Sequence, residues 1–585
     1  MLILSSPLYV LGALWKHRID LFWPIWIAIT GVSATLVLWV IPKRNDAPKD
    51  AIQRRPNVWS VSAIVTAVFL MLFLVLYIAG DLVWQDFTYY DNSLFTMGTL
   101  AGHNIPAFIW PSEGRFFPLC DQEYNLLRHL THSVAGYFAL RFAQIVLIAL
   151  MLLFLDKELS VTKRTALVLL LLVTPSIFIS FSGLIYPESN LVFSLLCFAV
   201  CIERFEWTHH RAWAVCAMIS AQFMLYYKET VFLLILGFAG GRLLLRCKLP
   251  ERKGWDWKRL RDPESRLDAC LALLVVPFLL YYFAAMFPSY RTRYAQKFHL
   301  PFLEMVETYL KVDLLAWVLV GYIFARAYQI LRRNARPSLL WDGLALGAVA
   351  YMAGYLALGM QSAYYFAPAD LIAVLYVGRI TVLAWQHLHI SGKSFAVTLL
   401  AFVFIQDLSL SAFRMYEMKN VIHAKSEMGS MIEEHYQDSS QSVQRIFFPF
   451  TPATHMMEFG AYLSYRGVPM ERENSGMANS GTVTMVGRAV KKDGPCVSGK
   501  PLICHTDAAP NPGDLVVVLP DDFAQTDELN LYKQVGKQPL FSYDPYPSIP
   551  NPLKSFAYPL RVISPEFFHG PLPDGFLHAS VTVWE

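Results

Sequence analysis

Residues 80–130 read GDLVWQDFTYYDNSLFTMGTLAGHNIPAFIWPSEGRFFPLCDQEYNLLRHL. This polar, aromatic-rich stretch lies between two strongly apolar segments, Val58–Ala79 and Val134–Leu155. An irregular connection of about fifty residues is uncommon unless it has a function. Both flanking segments are long enough to cross a bilayer. The stretch therefore predicts a large loop at one membrane surface, with Asp86 and Asp91 close to the point where the chain leaves the bilayer.

The composition indicates a membrane protein. Of the 585 residues, 55% are hydrophobic and 16% are charged, whereas a typical soluble chain has about 25% charged residues. We therefore expect a mainly α-helical protein, a polytopic transmembrane bundle with a separate extramembrane domain. No basic residue precedes the apolar start Met1–Leu14 and no small-residue cleavage site follows it, so no cleaved signal peptide is expected.

Apolar segments predict 12 membrane crossings, or 13 if the short segment Met1–Leu14 also spans. Most Lys and Arg residues lie in the loops that this order places in the cytoplasm, as the positive-inside rule requires. The basic loop Ser289–Lys311 is the main exception. The predicted crossings are Ile19–Ile41, Val58–Ala79, Val134–Leu155, Thr165–Gly183, Asn190–Ile202, Ala212–Tyr227, Thr230–Leu245, Ala269–Pro288, Val312–Leu331, Trp341–Leu358, Tyr364–Gln386 and Ser394–Phe413.

The chain divides into three predicted regions. Residues 1–57 hold N-terminal membrane segments and a basic cytoplasmic loop, and residues 58–413 form the main membrane domain with its long first external loop, 80–133. Residues 414–585 have no spanning segment and are rich in Pro, Gly and charge, which predicts an external, periplasmic α/β domain. Its predicted helices and strands are Val421–Tyr436, Thr454–Tyr465, Thr482–Val486 and Leu515–Leu519.

Several function classes are disfavoured by missing motifs. The chain has no P-loop, no GxGxxG before a helix and no GxSxG, which argues against a nucleotide-driven pump and an α/β hydrolase. Its cysteines and histidines do not have zinc-ligand spacing. Cys496 and Cys504 are predicted to be external, where an oxidising compartment would allow a disulfide between them.

The remaining polar groups suit chemistry at the outer membrane surface. A soluble nucleotide sugar is not available there, but a lipid-linked sugar is. Transfer from such a donor needs a carboxylate that takes the acceptor proton, cations that hold the departing phosphate and an apolar groove for the lipid. Asp86 and Asp91 are the candidate carboxylates, and Lys228, Arg291 and Arg293 are the candidate cations.

The layout resembles the GT-C class of integral membrane glycosyltransferases, which use polyprenyl-phosphate sugars. The resemblance covers roughly residues 58–413. It is carried by the early acidic motif Trp84-Gln85-Asp86, the short hinges Tyr186-Pro187-Glu188 and Tyr227-Lys228-Glu229, the motif Tyr364-Tyr365-Phe366-Ala367-Pro368 and the C-terminal external domain. It implies that Asp86 is the catalytic base. Many members have two adjacent acids where this chain has Gln85-Asp86, so Asp91 stays a second candidate. No cofactor is predicted, and a divalent metal is left open.

Each further candidate for substrate binding has a structural alternative. Glu188 would contact substrate or only close a helix hairpin, and Lys228 and Glu229 would bind phosphate or form a surface ion pair. Arg291 and Arg293 would contact the donor or lipid headgroups. The other candidates are Arg115, which would otherwise order its loop, and Tyr364 and Tyr365, which would otherwise belong to an interfacial belt.

These observations predict an inverting glycosyltransferase, multi-pass in the cytoplasmic (inner) membrane. Its partners would be a polyprenyl-phosphate-linked sugar, a glycan or lipid-linked acceptor and the bilayer, with no nucleic acid. One alternative is a polysaccharide polymerase or ligase that uses diphosphate-linked chains and depends on external arginines. The other is a lipid or polysaccharide transporter, which would have polar residues at mid-membrane and broken helices.

Overall fold

A computed structural model gives the fold of the chain. It describes residues 19–42, 64, 65, 68, 71, 72, 98–100, 102, 104–110, 114–154, 159–184, 186–247, 262–287, 301–332, 335–360, 362–385, 389–438, 445–449, 451, 453–470, 483–488, 502–505, 509–519, 539–544 and 579–583. Met1–Leu14 and most of Val58–Ala79 lie outside the described residues, so the predictions for these two segments stay predictions.

The described part of the chain is a helical membrane bundle followed by a domain built on a β-sheet. The helices are α1 (Ile19–Val40), α2 (Gly98–Leu100), α3 (Gln122–Leu127), α4 (Val134–Phe154), α5 (Val161–Val173), α6 (Pro175–Ser182), α7 (Glu188–Thr208), α8 (Arg211–Tyr227), α9 (Val231–Cys247), α10 (Pro263–Tyr281), α11 (Phe302–Val312), α12 (Leu314–Arg332), α13 (Leu339–Leu358), α14 (Ala367–Ala373), α15 (Arg379–Ala384), α16 (Ile390–Asp438) and α17 (Ala453–Tyr465). The π-helical turns Tyr282–Met286 and Val374–Gly378 continue α10 and α14, and a 3₁₀ turn, Ala363–Phe366, precedes α14.

Six of these helices are long and apolar enough to cross a membrane, and the bent pair α5 and α6 is apolar enough to be either a seventh, broken span or a re-entrant loop. This count covers the described residues only. The pair was predicted as one crossing, Thr165–Gly183, but it bends by 65° at Thr174. Pro175 follows Thr174 and has no N–H to donate, so the helix cannot continue through it without losing a hydrogen bond.

Helices α9 and α13 pack closely because both carry glycines at a four-residue spacing. A methyl group added to Gly237 of α9 would come within 2.9 Å of the Gly347 Cα on α13, and one added to Gly347 would meet the Leu234 carbonyl oxygen at 2.7 Å. Small residues at this spacing let two membrane helices approach backbone to backbone. The close packing fixes the position of the hinge that precedes α9.

The long loop between residues 80 and 133 has more structure than the sequence predicted. Within it, β1 (Phe108–Trp110) and β2 (Arg115–Phe117) form an antiparallel hairpin, and the rings of Phe108 and Phe117 stack with centroids 5.0 Å apart. The Leu119 N–H donates to the Tyr226 carbonyl at the end of α8. The hairpin is thus held against the bundle, close to the second hinge.

The C-terminal domain contains a six-stranded mixed sheet of β3 (Arg445–Phe448), β4 (Thr484–Arg488), β5 (Leu502–His505), β6 (Leu515–Val518), β7 (Phe541–Tyr543) and β8 (Ala579–Val583). The strand order is β5-β4-β3-β6-β8-β7. Strands β5, β4, β3 and β6 are parallel, and β8 pairs antiparallel with both β6 and β7. The fold class predicted from the sequence, a membrane helical bundle with an α/β domain, is confirmed. Helix α17 connects the parallel strands β3 and β4, as a βαβ unit requires.

Helix α16 connects the bundle to the sheet. The sequence predicted that the last membrane helix ends at Phe413 and that a separate helix starts at Val421, but α16 runs without interruption for 49 residues. Its outer part is tied to the sheet domain, because Arg466 Nε donates to Glu433 Oε2 over 2.9 Å. The predicted break was wrong because the chain between 413 and 421 has no Gly or Pro that would end a helix.

Candidate functional site

Two short connections bring the ends of four helices together. One joins α6 to α7, which begins at Glu188 directly after Pro187, and the other joins α8 to α9 through residues 228–230. Lys228 has an extended backbone, with φ −152° and ψ 128°, and this ends α8. A carboxylate in the first turn of a helix is stabilised by the helix dipole. We call this end of the bundle the hinge end.

Two buried ion pairs occupy the hinge end. Lys228 Nζ lies 3.1 Å from Glu188 Oε1, and Arg115 Nε lies 2.5 Å from Glu229 Oε1. All four residues are at least nine-tenths buried, and Glu188 is fully buried. Arg115 comes from β2 and Glu229 from the hinge, so the pair links the loop hairpin to the bundle. We call these four residues the ion quartet.

Aromatic rings form one wall of the ion quartet. Lys228 Nζ lies 5.0 Å from the centre of the Tyr365 ring, a distance at which a cation is attracted to a ring face. Tyr364 packs edge-on against Tyr365 and also contacts Tyr186 of the first hinge, with ring centres 4.7 Å apart. The predicted residues Tyr364 and Tyr365 thus lie beside the quartet.

Lys228 keeps its charge, and the quartet has unused acceptors. Burial lowers the pKa of Lys228, but the Glu188 carboxylate raises it above its usual value, so the side chain stays an ammonium ion. Glu188 Oε2 and Glu229 Oε2 are buried and have no hydrogen-bond donor among the described residues. Buried carboxylate oxygens are normally satisfied. These two are placed to accept hydrogen bonds from hydroxyl groups of a bound molecule.

A second polar network, absent from the sequence prediction, lies beside the quartet. Arg141 of α4 is 1% exposed, and its Nη2 donates to Glu123 Oε1 over 3.0 Å and to the Leu184 carbonyl over 2.7 Å. Glu123 also accepts from Asn190 Nδ2 at 2.6 Å and from the Tyr227 hydroxyl at 2.8 Å. Asn190 follows Glu188 by two residues and Tyr227 precedes Lys228, so both networks rest on the same helix ends. A charged residue inside an apolar segment, Arg141, is the signal that points to this network.

Asp121 completes the second network and has a strained backbone. Its φ of 60° lies in the left-handed region, which is uncommon for a residue other than glycine. Burial, together with the neighbouring Glu123 carboxylate, raises the pKa of Asp121 well above its usual range. Its Oδ1 has no hydrogen-bond partner among the described residues. Strained, buried polar residues of this kind are found preferentially at functional sites.

The other predicted site residues lie outside the described residues. These are Asp86, Asp91, Arg291 and Arg293. Cys496 of the predicted disulfide also lies outside them. In the part of the chain that the structure describes, no group of three or more His, Cys, Asp or Glu side chains has the geometry of a metal site. The carboxylates of Glu188 and Glu229 each face a cation instead.

Comparisons with known proteins give a distant structural likeness. No protein-family model and no curated protein sequence matches the chain. A crystal structure of ArnT from Cupriavidus metallidurans bound to undecaprenyl phosphate is similar over 83% of this chain and 96% of that chain, at 13% identity and a TM-score of 0.44. The apo state of the same protein is similar over 82% and 96%, at 12% identity and a TM-score of 0.42.

Proposed function

We propose that this chain is an integral membrane glycosyltransferase. It transfers a sugar from a polyprenyl-phosphate donor to a glycan or lipid-linked acceptor at the outer face of the cytoplasmic membrane, with inversion at the anomeric carbon. The observation that most supports this is the buried Lys228 ammonium group at the ends of membrane helices, beside carboxylate oxygens that lack donors. In this proposal the hinge end and the sheet domain face the periplasm.

The ion quartet suits the head of such a donor. An ammonium group has three N–H donors, and Glu188 engages one of those of Lys228. A phosphate oxygen takes charge-assisted hydrogen bonds from such groups. Glu188 Oε2 and Glu229 Oε2 would accept from sugar hydroxyls, which are donors of the required kind. A phosphorylated sugar therefore matches both the cations and the unused acceptors.

In the proposed reaction, the first external loop provides the catalytic base and the ion quartet stabilises the leaving phosphate. Asp86, with Asp91 as the second candidate, takes the proton from an acceptor hydroxyl. That oxygen forms the new bond to the anomeric carbon, and the bond between this carbon and the phosphate oxygen breaks. The polyprenyl phosphate leaves with the bonding electrons, and Lys228 stabilises its charge, with Arg291 and Arg293 in the same role.

A transfer assay tests the proposal. Purified protein is given a radiolabelled polyprenyl-phosphate hexose, with membrane extract as the acceptor source, and Lys228→Met is compared with Lys393→Met. Lys393 is the matched control because it also lies near an aromatic ring, with Nζ 5.9 Å from the centre of Trp385, but is only half-buried. Lys228→Met should lower transfer by about 10²- to 10³-fold, the loss typical of removing one transition-state donor, and Lys393→Met should leave it unchanged. Equal activity in both variants would contradict the proposed role of Lys228.

A transporter is the second candidate, favoured by the broken pair of helices α5 and α6. Helices that break at membrane depth are typical of transporter substrate sites. Vesicles containing the purified protein and a fluorescent polyprenyl phosphate separate the two functions. Movement of the lipid between leaflets without any sugar transfer would favour transport, and sugar transfer without movement would favour the enzyme.

A further inference from the structure

Two aspartates meet where membrane helices are interrupted. Asp313 lies between α11 and α12, and its Oδ1 accepts the N–H of Ala316 over 2.9 Å. Asp370, in α14, accepts a hydrogen bond from the hydroxyl of Ser176, next to the bend between α5 and α6. Asp313 Oδ2 and Asp370 Oδ1 are both buried and have no hydrogen-bond partner among the described residues, and the two carboxyl groups interact electrostatically. Two neighbouring buried carboxyl groups cannot both ionise without a large cost, so one of them binds a proton.

A third aspartate faces this pair from a different helix. Asp407 lies within the apolar span Ile390–Ala412 of α16. It is 1% exposed, and its Oδ2 has no hydrogen-bond partner among the described residues. Ser411, one turn further along α16, donates its hydroxyl to the Val173 carbonyl over 2.6 Å, which turns this face of α16 toward the bend. Asp407 interacts electrostatically with both members of the pair.

No described cation balances these three acids. Asp313 is 5% exposed and Asp370 is fully buried, yet none of the ion pairs between described residues includes Asp313, Asp370 or Asp407. By contrast, the equally buried Asp268 pairs with Arg242 and Arg246 at 2.9 and 3.4 Å. Other charged or titratable described groups on the helices that pack against these aspartates include Lys163 and Arg164 of α5, Glu188, Glu203, Arg204 and Glu206 of α7, Glu304, Glu307 and Tyr309 of α11, Tyr322, Arg326 (paired with Asp342), Tyr328 and Arg332 of α12, Asp342, Tyr351 and Tyr355 of α13, Tyr376 in the turn after α14, and Lys393, Lys419, His423, Lys425, Glu427, Glu433, Glu434, His435 and Tyr436 of α16.

The position of these groups makes them ineffective as counter-charges. Lys163 and Arg164 precede the bend at Thr174 by ten or more residues, or about 15 Å of helix, and Lys393 precedes Asp407 by about 21 Å. On the other side of Asp407, the next described lysine, Lys419, is about 18 Å away. The Tyr309 hydroxyl donates to the Met360 carbonyl and is a neutral group. An ionised carboxylate in such surroundings is costly and instead binds a proton.

We propose that Asp313, Asp370 and Asp407 form a proton-binding site inside the membrane bundle, with one proton shared by Asp313 and Asp370 and another on Asp407 at neutral pH. The buried oxygens Asp313 Oδ2 and Asp370 Oδ1, which have no hydrogen-bond partner among the described residues, support the shared proton. The described residues offer no three-carboxylate geometry of a metal site, which favours the proton over a metal ion as the bound cation. The site goes beyond sugar transfer, because none of its three aspartates belongs to the ion quartet.

Infrared spectroscopy of the intact protein in phosphatidylcholine vesicles tests the site. A protonated carboxyl group has a C=O stretch that is separate from the bands of a carboxylate, so buried protons are observed directly at pH 7. We expect this band in the wild-type protein. Asp407→Asn should lower the area of this band, because it removes one protonated group. Asp370→Asn should lower it by about the same amount, because it removes the shared proton.

The matched control is Asp268→Asn, which removes an equally buried aspartate that has two arginine partners. Its replacement should leave the band unchanged. The proposal is overturned if the wild type shows no protonated-carboxyl band, or if Asp370→Asn and Asp407→Asn leave the band intact. It is also overturned if the band appears only after Na⁺ is replaced by choline, since the bound cation would then be a metal. Because asparagine is a neutral isostere of the protonated side chain, the thermal unfolding midpoint of the two variants should equal that of the wild type at pH 5, which verifies that they fold.

Discussion

Replacing Lys228 by methionine would leave the Glu188 carboxylate buried without its cation. The two groups lie 3.1 Å apart, with side-chain exposures of 7% and 0%, so little solvent is present to take over the role of the ammonium group. Removing one partner of a buried pair typically costs about 3–5 kcal/mol. We expect Lys228→Met to lower the free energy of unfolding by that amount, because the orphaned carboxylate loses its main source of stabilisation.

The double variant Glu188→Gln/Lys228→Met separates stability from function. Neutral side chains of similar size often replace a buried pair without a net cost, so the double variant should recover most of the lost stability. The expected coupling energy in the double-mutant cycle is about 3 kcal/mol. Sugar transfer should stay at the level of Lys228→Met, since the phosphate would still lack its cation.

Both quantities are measured on protein in the same detergent, by equilibrium unfolding and by the transfer assay. The buried-pair reasoning is refuted if the single variant is as stable as the wild type, or if the double variant is no more stable than the single one. A double variant with wild-type transfer would instead refute phosphate binding by Lys228 and leave the stability argument intact.

Three further predictions concern other parts of the chain. Gly237→Ala should lower the free energy of unfolding by about 1–3 kcal/mol, because its methyl would lie 2.9 Å from the Gly347 Cα. Gly240→Ala on the same helix, which faces open space, should be neutral or slightly stabilising in the same denaturation experiment. The pKa of Asp121 is raised in the folded protein, so above about pH 3.9 the unfolded chain loses this proton while the folded protein still binds it. The contribution of Asp121 to stability therefore falls as the pH rises above about 3.9. Asp121→Asn should flatten the fall in the thermal unfolding midpoint, and an unchanged slope would contradict the raised pKa. Asp86→Asn should abolish transfer with an unchanged unfolding midpoint, and full activity would remove Asp86 from the mechanism.

The sequence located the hinges because their signals are local. Apolar segments end on both sides of Tyr186-Pro187-Glu188 and Tyr227-Lys228-Glu229, and charges at such ends are readily recognised. It could not predict that Arg115 pairs with Glu229, because that contact joins residues 114 positions apart and depends on how the loop hairpin folds back. The role of these residues in binding substrate remains a prediction.

The buried aspartates could not be found from the sequence for a related reason. Asp313 and Asp370 each lie near the end of a helix, and Asp407 lies near the end of the predicted crossing Ser394–Phe413, where a single acid usually reaches water. Only the bend at Thr174 and the packing of α6, α14 and α16 bring them together. The continuous helix α16 was missed because the change in composition after Phe413 reflects a change of surroundings, from lipid to water and protein, and not a change of backbone.

The length of α16 determines the position of the sheet domain. A helix of 49 residues is roughly 74 Å long, and about 39 Å of that lies beyond its apolar stretch Ile390–Ala412. In an unbroken helix, each residue adds both a rise along the helix axis and a rotation about it, so the two cannot be changed separately. Deleting a single residue between Phe413 and Asn420 would lower the domain by about 1.5 Å and rotate it by about 100° around the rod. Related chains of this architecture can therefore change the length of this rod only in steps close to whole helical turns if the domain is to keep the same face toward the membrane.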